Sequence, residues 1–350
     1  MSKIHLFSKK LIQWYKNNAR ALPWRKTRDP YKIWISEVML QQTTVNAVIP
    51  FYLRWVKTFP TIQSVCRAPL QKTLRLWQGL GYYHRAKNIH ETAKLVARQF
   101  NKKIPDDPEI LKRLPGFGPY TIGAVLSIAF NRRYPIIDAN VRRVLMRQLA
   151  IQGHADTRVD RRLSSYLEDV MPYEDMSSFN QGLMELGALI CRSKTPLCPN
   201  CPVNQSCKAH DKGLQEIIPQ PKTKVIRKIK SVVAIVRKDN RYLIQKRPPK
   251  GLLANLWEFP GGKVRRKESL KDALRREIKE ELDCSVTRSH KIMNIKHYYT
   301  QFCVDLNVYQ CRLNNLPVLQ KTQRWVKRSE FHRYPMPSGT VRIIEQLENL

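Results

Sequence analysis

The chain has 350 residues, a hydrophobic content of 42% and a net charge of +35. This length fits two domains better than one core, and the hydrophobic content excludes a disordered basic protein. No apolar run reaches the ~18 residues needed to cross a bilayer, and the lysines among residues 1–15 exclude a signal peptide, so we expect a soluble cytosolic monomer, nucleoid-associated if bacterial.

The positive charge is spread along the whole chain. Residues 1–210 carry +19, residues 211–230 carry +4 and residues 231–350 carry +12. A surface of this kind attracts polyanions over its full length, which makes nucleic acid the first candidate partner. The alternative is a solvated basic surface that serves no partner.

The predicted elements change in character along the chain. Apolar residues at helical spacing predict an all-helical domain over residues 1–210, joined by short Gly/Pro loops. Prolines and a run of basic residues predict a linker over residues 211–230. β-Branched and alternating stretches around a helix at 270–282 predict a smaller α/β domain over residues 231–350. We therefore expect a multidomain protein of the α and α/β classes.

Glu37 is the first candidate catalytic residue. Its helical neighbours three and four positions away are mostly apolar, including Ile33, Trp34 and Leu40. Burial on such a face raises the pKa of a carboxyl group and makes it a usable general acid. The alternative is an ordinary exposed glutamate on a helix.

A glycine-rich turn occupies Leu114–Gly118, between two predicted helices. Its glycines, Gly116 and Gly118, let the backbone turn tightly and bring N–H groups against a phosphate. A helix-hairpin-helix of this kind anchors DNA without reading its bases. A plain Pro-Gly turn between helices is the alternative.

Asp138 follows Gly118 by twenty residues and precedes a predicted helix that starts at Ala139. It is a candidate N-cap residue, and the helix N-terminus favours the ionised carboxylate. A carboxylate there suits a cationic, oxocarbenium-like sugar.

Four cysteines lie close together in the sequence at Cys191, Cys198, Cys201 and Cys207. Four thiolates within 17 residues can close around one tetrahedral zinc ion or one iron–sulfur cluster. The spacing predicts a metal centre and leaves its identity open. The remaining cysteines are scattered, and we expect them to be small buried residues.

The last candidate site lies in the α/β domain, where Glu277, Glu280 and Glu281 share one predicted helix face. Together they can hold Mg²⁺ against a diphosphate. The alternative is a surface helix of charge pairs. Asp283 occupies the position where glycine would end the helix, which leaves the turn in doubt.

Together the hairpin, the downstream aspartate and the cysteines resemble the helix-hairpin-helix DNA glycosylases that carry a [4Fe-4S] cluster. The segments WISEVMLQQT (34–43) and GLGYY (79–83) are similar to the adenine DNA glycosylases within that group. The likeness covers residues 5–210. Residues 262–284 resemble the Nudix box, which implies a domain that recognises 8-oxoguanine in DNA.

The resemblance implies a role for each catalytic candidate. Glu37 would protonate adenine at N7 and position the attacking water, Asp138 would stabilise the sugar cation, and Asn140 would hold a water. Tyr120 stands where related glycosylase/lyases carry a nucleophilic lysine, so a monofunctional enzyme is expected. The implied partner is double-stranded DNA containing A·8-oxoguanine or A·G mispairs.

The same resemblance implies the DNA contacts. Gln42 would fill the gap in the duplex, and the residues expected to contact 8-oxoguanine are Arg25, Thr43, Leu80 and Tyr82. Helix-end packing is the alternative for the last two. In the C-terminal domain Tyr299, Thr300 and Gln301 stand where the family has Phe-Ser-His. Gln181 replaces a glutamate that some members place near the adenine.

Three alternatives remain at this stage. One is a bifunctional pyrimidine glycosylase/lyase of the endonuclease III type, which Tyr120 opposes. Another is a Nudix nucleotide pyrophosphatase fused to a DNA-binding domain. The third is a non-catalytic DNA-binding module, which leaves Glu37 without a purpose.

Overall fold

The computed structural model describes residues 3–221, 226–298 and 302–347. The chain forms two compact units, one of Met1–Arg67 with Asn88–Lys222 and one of Ala68–Lys87 with Thr223–Leu350. Residues 68–87 therefore group with the C-terminal part of the chain and not with the helices that surround them in sequence. Tyr299, Thr300 and Gln301 lie outside the described residues.

Helices dominate the chain as far as residue 211. Their bounds are α1 Lys3–Asn18, α2 Pro30–Leu40, α3 Val45–Thr58, α4 Ile62–Arg67, α5 Leu70–Trp77, α6 His84–Gln99, α7 Pro108–Leu111, α8 Pro119–Ala124, α9 Ala139–Gln148, α10 Thr157–Val170, α11 Met176–Leu189 and α12 Lys208–Asp211. A π-helical turn, Val125–Ala129, continues α8.

Aspartates begin several of these helices. Asp29 accepts a hydrogen bond from the Tyr31 N–H at 2.9 Å at the start of α2, and Asp107 and Asp156 cap α7 and α10 in the same way. A side-chain oxygen at this position satisfies N–H groups that have no partner within the helix. The local sequence therefore sets where these helices begin.

The first unit has its main core around α11, which packs against α1 and α9. The core includes Leu11, Val144, Phe179 and Leu183, all almost fully buried. A smaller apolar cluster joins α2 to α8 and the π-helical turn through Ile33 and its neighbours. This second contact holds α2 next to the segment that follows the hairpin.

The second unit is built on a mixed sheet. Its strands and helices are β1 Arg227–Lys238, β2 Arg241–Lys246, β3 Trp257–Glu258, β4 Gly261–Lys263, α13 Leu270–Leu282, β5 Val286–Tyr298, β6 Phe302–Leu313, β7 Gln323–Lys327 and α14 Ser338–Gln346. The strand order is β3-β2-β1-β6-β5, with β4 paired to β1 and β7 to β2. Strands β1 and β6 run parallel, and α13 packs against β1 and β4.

The predicted fold class is confirmed, with two differences of detail. Strand β1 begins at Arg227, inside the segment predicted as a linker. Asp283 ends α13 in the left-handed conformation, at φ 51° and ψ 32°, and its N–H donates to the Lys279 carbonyl. Aspartate therefore ends this helix in the position where glycine was expected, because a short polar side chain tolerates the left-handed region better than most residues. Among the described residues, no helix combines the length and apolar character that crossing a membrane requires.

Candidate active site

Glu37 lies on α2 with only 4% of its surface exposed. The Tyr120 hydroxyl, from the first turn of α8, donates a hydrogen bond to its Oε2 atom. Burial raises the pKa of Glu37 to about 7, as the apolar neighbours predicted. The Tyr120 hydrogen bond and the charge of Arg25 lower this pKa, while Asp138 raises it further. The group is therefore a carboxylic acid that holds its proton near neutral pH.

Asp138 caps α9, as the sequence predicted. Its Oδ1 accepts from the Val141 N–H at 2.7 Å, and its Oδ2 accepts from the Asn140 side-chain amide at 3.2 Å. Burial nevertheless raises the pKa of Asp138, against these hydrogen bonds and the charge of Arg143. The N-cap position of Asp138 does not reveal this cost of desolvation, because it depends on the residues that pack around the carboxyl group.

Arg25, which is predicted to contact the opposite base, pairs with Glu185 on α11. Its Nη2 lies 2.9 Å from Glu185 Oε2, and its guanidinium sits 5.3 Å from the Tyr15 ring centre. Arg20 binds the same carboxylate at 2.7 Å. Burial alone would raise the pKa of Glu185, but the two arginines lower it to about 2. Sequence reasoning missed Glu185, although a glutamate that is the only charged residue of its helix was the available signal.

The predicted hairpin forms a tight turn that requires glycine at position 116. Gly116 has φ +85°, and a Cβ atom there would lie 3.0 Å from the Cβ of Asn88. The ring of Phe117 stacks on that of Trp34, with the two ring centroids 5.3 Å apart. Trp34 lies one helical turn before Glu37 on α2. Gly118 caps α8 and faces open space. The turn is therefore fixed on one side and leaves its backbone accessible on the other.

Several other predicted contacts lie at the end of α2 or on α11. Gln42 is exposed and has φ 57°, which turns the chain sharply after the helix. Gln41 donates to Thr121 Oγ1 at 3.1 Å, and Thr43 is half-buried. The amide of Gln181 donates to Ser177 Oγ at 3.0 Å.

Leu80 and Tyr82 belong to the second unit. Leu80 is 6% exposed, which favours a packing role for its side chain. Tyr82 is half-buried at φ +46° and lies against the guanidinium of Arg85.

The four predicted metal ligands, Cys191, Cys198, Cys201 and Cys207, line one small cavity of about 30 Å³. The buried Arg147 donates to Cys191 Sγ at 3.2 Å and also binds the Arg192 and Ser193 carbonyls. Burial raises the pKa of the Cys201 thiol to about 12.

No set of three or more His, Cys, Asp or Glu residues in the described ranges has a finished metal-site geometry. Four sulfur donors around one void, with an arginine donating to one of them, do fit the donor chemistry of a thiolate-bound centre.

The predicted carboxylate face of α13 lines a larger cavity of about 620 Å³ in the second unit. Glu277, Glu280 and Glu281 all face it, in agreement with the helical spacing. Arg276 pairs with Glu277 at 2.6 Å, and burial raises the pKa of Glu281 to about 7. Helix α13 therefore has both predicted features, the ion pairs of a surface helix and three glutamates on one face.

Comparison with known proteins gives a consistent result for both units. Residues 35–169 match the model of the HhH-GPD superfamily of base excision DNA repair proteins, and residues 231–346 match the NUDIX domain model. A solved trapped complex of endonuclease III with DNA is 25% identical, with a TM-score of 0.52, and covers 61% of this chain and 100% of that one.

Two curated relatives extend this likeness to nearly the whole chain. The adenine DNA glycosylase of Buchnera aphidicola (subsp. Schizaphis graminum) is 35% identical, over 98% of this chain and 99% of that protein. The human adenine DNA glycosylase is 30% identical, over 95% of this chain and 72% of that protein. The chain is a DNA glycosylase and belongs to the adenine DNA glycosylase family.

Proposed function

We propose that the chain is a monofunctional glycosylase that hydrolyses the N-glycosidic bond of adenine opposite 8-oxoguanine or guanine. The observation that carries this proposal is the buried Glu37, which accepts a hydrogen bond from the Tyr120 hydroxyl. The charge of Asp138, the N-cap residue of α9, raises the pKa of Glu37. One group is poised to give a proton and the other to oppose a positive charge, as a glycosyl-transfer site requires.

The proposed reaction uses both carboxyl groups. The target adenine leaves the base stack and Glu37 protonates its N7, so that the bond from C1′ to N9 breaks with both electrons on the base. Asp138 stabilises the resulting sugar cation. A water then adds to C1′ and gives its proton to the Glu37 carboxylate, which restores the acid.

Tyr120 determines the expected product. A phenol cannot form an imine with the sugar, whereas a lysine at this position would do so and lead to strand cleavage. Burial raises the pKa of Tyr120 well above its ordinary value, which keeps it a hydrogen-bond donor to Glu37. An intact abasic strand is therefore the expected product.

The direct test is incubation with an A·8-oxoguanine duplex, with and without alkali. We expect free adenine in both samples and strand cleavage only after alkali. Cleavage without alkali, or an adduct trapped by borohydride, would establish a lyase instead.

We propose that Cys191, Cys198, Cys201 and Cys207 hold a [4Fe-4S] cluster. When bound, the cluster supplies four iron–thiolate bonds that tie the loop into one shape. The protein should then absorb broadly near ~400 nm, and Cys201→Ser should lose that absorbance and its DNA affinity together, whereas Cys66→Ser should keep both. A colourless protein with one equivalent of zinc would exclude the cluster.

A second candidate activity, nucleotide hydrolysis, is favoured by the match of residues 231–346 to the NUDIX domain and by the 620 Å³ cavity with its carboxylates. If it operates, the chain with Mg²⁺ should release phosphate or pyrophosphate from 8-oxo-dGTP. Glu280→Gln should abolish that release by removing a metal ligand and should leave adenine excision unchanged.

A further inference from the structure

The turn at Gly79–Tyr82 is unusual in its backbone. Gly79, Gly81 and Tyr82 all have positive φ, at 105°, 70° and 46°. Arg85 is buried beneath it and donates to the Leu80 and Gly81 carbonyls at 3.1 and 3.2 Å. The Trp77 indole also donates to the Gly81 carbonyl, at 3.0 Å. Hydrogen bonds to the Leu80 and Gly81 carbonyls hold the turn on its buried side. On the other side, a Cβ built at Gly81 would have no atom within 4 Å.

The two ends of this turn bind the same residue of the C-terminal part of the second unit. Gln78 Oε1 accepts from the Met336 N–H at 3.0 Å, and the Tyr83 hydroxyl donates to the Met336 carbonyl at 2.8 Å. Met336 is almost fully buried, at 1% exposure. Both polar groups of one backbone residue are therefore committed to the residues that flank the turn.

Helix α5, which leads into the turn, is attached by a second pair of hydrogen bonds. The Gln71 amide donates to the Asn255 carbonyl at 3.1 Å and accepts from the Trp257 indole at 3.1 Å. After the turn, Lys87 donates to the Pro249 carbonyl at 3.0 Å. These bonds explain why residues 68–87 group with the sheet domain.

The segment also has the chemistry of a nucleic-acid contact. Residues 68–87 contain Lys72, Arg75, Arg85 and Lys87 and no acidic residue. Lys72 and Arg75 are exposed, and the ring of Tyr82 is half-exposed beside the open backbone of Gly81. Exposed basic side chains, an aromatic ring and accessible main-chain atoms are each groups that bind the backbone or bases of DNA.

The family resemblance already implies that Leu80 and Tyr82 of this turn contact the duplex; we infer that the C-terminal domain positions the turn for that contact, through the hydrogen bonds of Gln78 and Tyr83 to Met336. The sheet domain then contributes to duplex affinity indirectly, by holding this turn, in addition to any contact of its own. Gln78 and Tyr83 act in this inference as positioning residues, since their side chains bind the Met336 backbone. The inference rests on the proposed function for the identity of the duplex.

The test uses the full chain and a duplex with hydrolysis-resistant 2′-fluoro-deoxyadenosine opposite 8-oxoguanine. Tyr83→Phe combined with Gln78→Met removes both hydrogen bonds and keeps side-chain size. We expect affinity for this duplex to fall by roughly tenfold. The excision rate at saturating enzyme, measured on the same duplex with ordinary deoxyadenosine, should change by less than about twofold. Tyr173→Phe, an exposed tyrosine of the first unit, is the control and should leave affinity unchanged.

A second measurement separates positioning from general loosening of the fold. In a Tyr82→Ala background, the Tyr83→Phe/Gln78→Met pair should have little further effect, because both changes act through the same turn. If the double variant does not fold, Trp257→Phe, which removes the hydrogen bond to Gln71 and keeps an aromatic ring, takes its place. Unchanged affinity, or effects that add in full, would overturn the inference. Failure of the wild type to release adenine would contradict the proposed function alone, since binding is measured separately.

Discussion

At the scale of the residue, the candidate site depends on a balance around Glu37. Burial raises the pKa of this carboxyl, and the hydrogen bond from Tyr120 and the charge of Arg25 limit the rise. Arg25 itself forms an ion pair with Glu185, and no local sequence motif predicts this pair. The pKa of Glu37, which decides whether it carries the proton that the proposed chemistry needs, therefore depends on residues from separate parts of the chain.

The pH dependence of excision follows from this balance. Glu37 must be protonated to act as an acid, so the rate at saturating DNA should fall as pH rises through about 7. Well above that value the rate should drop about tenfold per pH unit. Asp138 must be ionised, and its raised pKa should lower the rate on the acid side. Single-turnover rates between pH 5 and 9 check this, and a profile flat across neutral pH would contradict it.

Replacement of Glu37 tests the acid directly. Glu37→Gln keeps the shape of the side chain but cannot transfer the proton, so excision should fall by ~10² or more while duplex binding persists. Release of adenine under single-turnover conditions and a separate binding titration measure the two effects. Glu109→Gln, at an exposed glutamate, is the matched control. Near-normal turnover of Glu37→Gln would remove Glu37 from the mechanism.

At the scale of the element, the hairpin and α2 form one packed assembly. Phe117 of the hairpin stacks on Trp34, and Tyr120 at the start of α8 reaches Glu37. The turn that is proposed to hold a DNA phosphate therefore shares its packing with the helix that carries the acid. A substitution in the hairpin should therefore alter both the packing of the turn and the packing of α2.

Gly116→Ala should disrupt this assembly. The new Cβ would lie 3.0 Å from Asn88 Cβ at a backbone φ of +85°, and such strain costs roughly 1–3 kcal/mol. Thermal unfolding should show the loss of stability, and a binding titration should show weaker binding to duplex DNA. Gly118→Ala, which adds its Cβ to open space, should leave stability near that of the wild type. Equal stability of the two variants would contradict this account of the turn.

At the scale of the whole molecule, charge and chain order matter most. The net charge of +35 is distributed along the chain, at +19 for residues 1–210, of which residues 68–87 carry +4, and +12 for residues 231–350. Residues 68–87, early in the chain, are held by the sheet domain. Both features make DNA binding a property of the full chain, since neither unit holds all of the basic surface.

Duplex binding should accordingly depend steeply on salt. For a protein that neutralises roughly 6–10 phosphates, affinity falls by about 10³ or more between 50 and 200 mM salt, and we expect a loss of this order here. Binding titrations over this range test the prediction, with the single-turnover rate at saturating enzyme as the control, which should change little. An affinity that varies less than tenfold would show that few phosphates are contacted.

The sequence by itself determined the features that depend on neighbouring residues. Asp138 caps α9, Gly116 permits the hairpin, and the α13 glutamates share a face, because each depends on spacing within one turn or helix. Tertiary structure decided the contacts between residues far apart in the chain. The Arg25–Glu185 pair spans 160 residues and the Tyr83–Met336 hydrogen bond spans 253, and no local spacing constrains either. The raised pKa of Asp138 has the same origin, since desolvation depends on everything that packs around a group and not on the helix that the group begins.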